Sequence, residues 1–223
     1  MDLQLRDRVV VVVGGAGFIG SAISSRLSEE GATVVVASRS GTNGIVLDGA
    51  DDASVSAAVA GILETHGRID AVVITAAPSA QTLDSSRNSD PEQVADAVEG
   101  KALTFLRIAN AVIPVMRDAG YGRIVGVSGQ NALLTGNITG AVRNAALNVI
   151  AKNLADELAG TGVTVTTVNP GTVREVPATD VAPGRGGESS PAQIADLVAF
   201  LASPLSALSG ESIAIGHRVR GVV

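Results

Sequence analysis

Along the chain, short runs of β-branched apolar residues alternate with longer stretches of helical periodicity. The runs predict strands over residues 8–13, 33–37, 44–47, 70–75, 122–127, 163–168 and 211–215. The periodic stretches predict helices over 17–30, 52–65, 91–118, 138–159 and 191–202, the third interrupted at Gly100. Gly31 and Gly160 stand where helix C-caps belong. Ser190-Pro191 opens the last helix with proline in its first turn. Strands that are apolar throughout, such as Val9-Val10-Val11-Val12-Val13, are buried on both faces, so helices must cover the sheet from both sides. The expectation is an α/β fold, a doubly wound parallel sheet of about seven strands in three α/β/α layers. No repeat, low-complexity tract or linker interrupts it, so residues 1–223 read as a single domain.

Two loops and one turn carry the chemistry. Val13 runs into Gly14-Gly15-Ala16-Gly17-Phe18-Ile19-Gly20, a G-x-x-G-x-x-G spacing between a strand and an amphipathic helix. Glycine permits the tight turn and close approach of the backbone to a pyrophosphate. The helix that follows offers unpaired N–H groups and the positive end of its dipole to that anion. The pattern predicts a Rossmann-like dinucleotide site that includes Gly14, Gly17, Phe18, Ile19 and Gly20. The second strand ends in Ala37-Ser38-Arg39 with no carboxylate at its tip. An acid there would bind a ribose 2′-hydroxyl, whereas an arginine accommodates a 2′-phosphate. Ser38, Arg39 and Ser40 therefore favour NADP(H) over NAD(H). Asp48 either meets the adenine or caps the helix begun at Asp51-Asp52. The segment from Ser38 to Gly44 is too short for a crossover helix. The long Gly- and Pro-rich segment from Gly171 to Ser190 reads as a lid at the ligand edge of the sheet.

Composition narrows the classes. Apolar residues make up 46% of the chain, yet the aromatics are three Phe and one Tyr, so the core must be aliphatic. A net charge of −6 without a long basic run argues against nucleic acid or an anionic membrane as partner. With no Cys and only His66 and His217, no metal site is expected. No uninterrupted apolar stretch reaches ~18 residues, and no leader precedes the first strand, so a cytoplasmic protein is expected.

Several segments resemble the short-chain dehydrogenase/reductase family, in its order and spacing. They are Gly67-Arg68-Ile69-Asp70-Ala71-Val72-Val73-Ile74, Gly122-Arg123-Ile124-Val125-Gly126-Val127-Ser128, Ala145-Ala146-Leu147, Val168-Asn169-Pro170-Gly171-Thr172-Val173 and Ile194 to Ser203. The resemblance implies a dinucleotide-binding domain whose cofactor also meets Ala76, Ala77, Asn144, Pro170, Gly171 and Val173. It further implies an Asn-Ser-Tyr-Lys tetrad with Tyr as general acid/base, Lys lowering its pKa, Ser orienting the substrate and Asn supporting a proton path. Aligned on the quoted segments, the Tyr position falls at Gly140 and the Lys position at Asn144. The Ser position falls at Gly129, beside Ser128, and the Asn position at Lys101. The expected Asn-Asn-Ala-Gly reads Thr75-Ala76-Ala77-Pro78. Tyr121, the single tyrosine, lies just before a strand, at the edge opposite the expected site. The expectation is an NADP(H)-binding oxidoreductase acting on a small carbonyl or alcohol through a degenerate active site. The alternatives are a non-redox nucleotide-binding protein or sensor, and a lyase or cyclase reusing the pocket.

Lys101, Ser128 and Asn144 are the candidate catalytic residues. Lys101 is expected either as a desolvated acid, base or nucleophile, or as a lysine that snorkels to solvent or pairs with Glu99. Lys152 reads as a surface residue. Thr139-x-x-x-Arg143 echoes a Tyr-x-x-x-Arg pattern of dehalogenases derived from this fold, but an exposed helix arginine is the expectation. His217 reads as structural or solvated, and His66 lies toward the wrong edge. Ser128, Gln130, Asn131 and Asn144 are expected to line a pocket. The resemblance also implies a homo-oligomer, dimer or tetramer, paired through the helices at 91–118 and 138–159.

Overall fold

The computed structural model describes residues 1–78 and 82–222. Along the chain run β1 (Val9–Val13), α1 (Phe18–Glu29), β2 (Thr33–Ser38), β3 (Ile45–Val46), α2 (Asp52–His66), β4 (Ala71–Ile74) and α3 (Pro91–Val98). Then follow α4 (Thr104–Asp118), β5 (Gly122–Val127), α5 (Ile138–Glu157), β6 (Val163–Pro170), α6 (Pro191–Ala202) and β7 (Ser212–Ile215). The seven strands form one parallel sheet in the order β3-β2-β1-β4-β5-β6-β7. The doubly wound α/β reading of the sequence holds.

The five valines of β1 divide the core by their alternation. Val9, Val11 and Val13 join one cluster with Val55 and Ile62 of α2, Phe105, Ile108 and Val112 of α4, and Leu147 and Leu154 of α5. Val10 and Val12 join the other, with Ile23 and Leu27 of α1 and Ile194, Val198 and Leu201 of α6. Period-2 side chains on a strand and i, i+4 stripes on helices thus close both faces of the sheet. Each fully buried Leu, Ile or Phe side chain contributes about 1.5–3 kcal/mol.

Local chemistry sets the helix starts. The carboxylates of Asp51 and Asp90 accept from the N–H groups of Ala53 and Glu92 at the heads of α2 and α3. Asn137 caps α5 by accepting from Gly140, and Ser190 and Gln193 form a capping box on α6. The predicted 91–118 helix is broken where the sequence placed an interruption: a π-helical turn, Glu99–Leu103, separates α3 from α4.

Ionic and aromatic contacts cluster at the amino end of the sheet. Buried Asp70 accepts from Arg8, Arg68 and the Val9 N–H. Tyr121 lies between the guanidinium groups of Arg8 and Arg123, each 4.4 Å from its ring centroid.

The carboxyl ends gather the site. Val13 aligns with Ala37 and Ile74, Ile74 with Gly126, and Val127 with Val168. The turns after β1, β2, β4, β5 and β6 therefore share one edge. The segment 171–190 is tied down there. Val173 bridges to Ser189, Glu188 accepts from Arg174 and from the Ala178 N–H, and the Gly187 N–H donates to the His217 carbonyl.

Candidate functional site

The turn after β1 is built from backbone. Gly14 has φ +81°, and a Cβ there would lie 2.5 Å from Thr75 Oγ1. A Cβ on Gly20 would lie 2.1 Å from the Gly14 carbonyl oxygen. Side chains are thus excluded from a cradle that opens at the head of α1. Gly17 is the N-cap of α1, no side chain caps it and its first turn holds no acid. The first N–H groups of a helix have no intrahelical partner, so those of Phe18, Ile19 and Gly20 present bare donors and the positive dipole end. This donor set fits a pyrophosphate.

Arg39 and Ser40 are exposed at the carboxyl end of β2. Ser40 shares hydroxyl contacts with Thr42 at 2.7 Å and Ser38 at 3.4 Å, and among the described residues no acid pairs with Arg39. The cap of α2 is Asp51, and the Asp48 carboxylate accepts instead from the Ala50 N–H. Ala76 and Ala77 follow β4 at the same edge, as Pro170 and Gly171 do at the end of β6.

A second group of polar residues lies beyond β5. Lys101, in the π-helical turn, is 6% exposed, and its ammonium donates to the Ser128 carbonyl at 3.0 Å. The Ser128 hydroxyl donates to the Asn144 carbonyl at 3.1 Å. The Asn144 side chain donates back to Gly140 O at 2.9 Å, leaving its Oδ1 buried without a partner. The Gly129 N–H donates to Asn169 Oδ1 at 3.3 Å. Gln130 Nε2 donates to the carbonyls of Ile215 and His217, and its Oε1 is likewise unpartnered. Arg143 is 5% exposed; its Nη1 donates to the Pro78 carbonyl at 3.1 Å and its Nε has no partner. Burial, and after it the nearby Arg143 charge, push the Lys101 ammonium down to about 7. Burial also lowers Arg143.

Residues 14–216 match the family model described as enoyl-(acyl carrier protein) reductase. The chain belongs to the short-chain dehydrogenase/reductase family. This family member is 29% identical to the 3-oxoacyl-(acyl-carrier-protein) reductase FabG of Vibrio cholerae, with 95% of this chain and 96% of that protein aligned. Its identity to the Vibrio harveyi protein of the same name is 30%, over 95% and 96% of the two chains. The crystal structure of gox2181 shares the fold, with a TM-score of 0.81 at 24% identity over 96% of each chain.

In this dehydrogenase/reductase chain the three candidate catalytic residues come together: Lys101 bonds to Ser128 and Ser128 to Asn144. Gly129 follows β5 directly and Gly140 stands in the first turn of α5. Tyr121 is held at the amino end of the sheet, away from both.

Three expectations are corrected. Arg143 is buried rather than exposed, because it stands at the helical spacing of Thr139, Leu147 and Ala151, all on the buried face of α5. That stripe was the sequence signal for it. Glu99 pairs with Arg107 and not with Lys101, which the π-helical turn directs inward. Asn131 is exposed and lines no polar cluster, whereas Asn169, read only as part of a motif, holds the Gly129 N–H.

The remaining candidates are peripheral. Lys152 is a surface residue bridged to Asp156. Thr139 is buried and donates to the Asn88 carbonyl. His66 and His217 are exposed. Among the described residues no group of three or more side chains can hold a metal, and no helix is long and apolar enough to cross a membrane.

Proposed function

We propose that this short-chain dehydrogenase/reductase is a single dinucleotide-binding domain that uses NADP(H) to interconvert a small carbonyl and its alcohol through a degenerate proton-transfer site. The observation that carries the reading is the uncapped first turn of α1 over a cradle that admits no side chain. In the absence of any acid at the β2 tip, Arg39 with Ser38 and Ser40 would hold a 2′-phosphate, since a guanidinium offers two parallel donors to such an oxyanion. Asp48 would lie on the adenine side of the cleft, and Ala76, Ala77, Pro170, Gly171 and Val173 would border the nicotinamide. When bound, NADPH supplies the hydride.

The chain's own residues supply position and a proton. Ser128, whose hydroxyl donates to the Asn144 main-chain carbonyl, and Asn144, whose Oδ1 is left without a partner, would orient the substrate oxygen. Lys101 is the group in this cluster able to exchange a proton near neutral pH, because burial has moved it there. A family-type tyrosine is missing from the cluster, since the single tyrosine is stacked between two arginines at the opposite edge. Loss of a general acid/base typically costs ~10²–10⁴ in rate, so turnover should be slow.

Fluorescence titration tests the cofactor. NADPH should bind more tightly than NADH, with Arg39→Ala removing the difference. Failure of both coenzymes to bind overturns the reading. A second reading, non-redox nucleotide binding, is favoured by the same placement of Tyr121; NADPH binding without turnover of any carbonyl in a panel would select it. We further propose a homo-oligomer, because Ile138, Val142 and Val149 leave an apolar strip of α5 exposed. Sedimentation showing only monomer at micromolar concentration would contradict this.

A further inference from the structure

Two cationic side chains are buried at the ligand edge, and among the described residues no acid is ion-paired with either. Lys101 and Arg143 are each about nineteen-twentieths buried. The Arg143 charge adds to burial in lowering Lys101, and among the described residues no acid is ion-paired with either. The chain carries 22 acidic residues, yet among the described residues only Asp70 is a buried carboxylate, and it is bound by Arg8 and Arg68 at the opposite end of the sheet. An uncompensated buried charge costs several kcal/mol, a cost that an anionic ligand bound between the two groups would offset.

Geometry brings both groups to one place, the chain just beyond β4. Arg143 Nη1 donates to the Pro78 carbonyl. Gly100, beside Lys101, packs so closely on the Pro78 ring that a Cβ there would lie 2.7 Å from Pro78 Cγ. Much donor capacity is unspent. An ammonium has three N–H donors and a guanidinium five. Among the described residues each side chain makes one hydrogen bond, and the Arg143 Nε is buried with no partner. Gly129, which follows β5, carries no side chain, and a Cβ there would lie 3.2 Å from the Asn144 amide.

We propose that Lys101 and Arg143 together hold the carboxylate of the substrate, so that the site takes a small oxo-acid or hydroxy-acid rather than a neutral carbonyl. The inference rests on the oxidoreductase reading above and narrows its substrate class. A planar guanidinium pairs with both oxygens of a carboxylate at once. An anion so placed also favours the protonated form of Lys101, which keeps a proton donor beside the carbonyl.

The other charged groups on elements packed against the π-helical turn are engaged elsewhere or exposed. Glu99 pairs with Arg107 of α4, Glu92 of α3 pairs with Arg87, and Asp96 of α3 is exposed. On α5, Lys152 pairs with Asp156, and Glu157 pairs with Arg117 of α4, whose Asp118 is exposed. Lys101, brought to about 7 by burial, therefore sets the pH response of binding.

Calorimetric titration of the full chain without coenzyme tests this, using acetoacetate, acetone as its neutral counterpart and inorganic phosphate, with NADPH in a separate arm. Acetoacetate should bind saturably and acetone should not. Arg143→Met and Lys101→Met should each weaken acetoacetate by at least about tenfold, the loss expected for a hydrogen bond to a charged group, and Arg143→Lys should recover part of it. Affinity should fall as pH is raised from 6 to 9. Equal binding of acetone, tighter binding of phosphate, no binding of acetoacetate, or wild-type affinity in folded Arg143→Met and Arg143→Lys would each overturn the proposal. NADPH binding in the absence of acetoacetate binding defeats this inference alone. Acetoacetate binding without NADPH binding defeats the coenzyme reading instead.

Discussion

The ammonium of Lys101 donates to the main-chain carbonyl of Ser128 at 3.0 Å, spanning from the π-helical turn to the residue after β5. Burial and the Arg143 charge lower its pKa from 10.5 to about 7. Between those values the unfolded chain keeps a proton that the folded chain has released, so stability rises with pH across that window. Below about 7 the full cost of burying the charge is present. Lys101→Met should therefore stabilise the ligand-free protein at pH 6 by on the order of a few kcal/mol and by little at pH 10. Urea denaturation at the two pH values measures it; a variant less stable than wild type at pH 6 contradicts the unpaired charge.

Asp70 behaves in the opposite sense. Burial works to raise its pKa, but bonds from Arg68, the Val9 N–H and Arg8 outweigh it and hold the carboxylate below its usual range. A depressed carboxylate contributes stability that is present above the unfolded pKa and lost as pH falls through the folded one. Asp70→Asn should cost roughly 3–5 kcal/mol at pH 7, and the deficit should shrink in acid below about pH 4. Thermal unfolding at pH 7 and pH 3 checks both the cost and its sign.

Gly20→Ala places a Cβ 2.1 Å from the Gly14 carbonyl oxygen, a backbone atom that cannot rotate away. Overpacking of this kind costs about 1–3 kcal/mol or more, and displacement of the turn should abolish NADPH binding. Gly17→Ala meets only the Gly14 oxygen, at 3.2 Å, and should be milder. Equal NADPH affinity in Gly20→Ala and wild type would remove the cradle from the cofactor site.

Tyr121→Phe retains the ring between Arg8 and Arg123 and removes only a hydroxyl 3.5 Å from the Ala202 carbonyl. The change should cost less than about 1 kcal/mol and leave any carbonyl turnover unaltered. Tyr121→Ala forfeits two cation–π contacts of about 0.5–2 kcal/mol each, lowering stability without altering coenzyme affinity. Loss of turnover in Tyr121→Phe would refute the degenerate-site reading.

The elements were legible because their causes are local. The β1 valines, the Asp51, Asp90 and Ser190 caps and the Gly14–Gly20 spacing declare strand, helix starts and turn without reference to distant residues. The break at Gly100 was visible too, though its form, a π-helical turn, depends on α3 and α4 packing together with α5. Arg143 was misread because its charge outweighed its position. Its four-residue spacing from Thr139 and Leu147 places it on the inner face of α5 regardless of charge.

The sequence by itself determined the parallel sheet, the glycine turn and the presence of a single tyrosine far from the turn that follows β5. Those follow from side-chain periodicity, backbone sterics and the order of residues. Tertiary structure alone decided that Lys101 and Arg143 lie buried, with no acid paired to either among the described residues, that the Ser128 hydroxyl meets the Asn144 carbonyl, and that segment 171–190 is tied to the chain beyond β7. Burial and electrostatic pairing depend on which elements meet across the fold, and residues as distant in sequence as 101 and 143 acquire their chemistry only from that meeting.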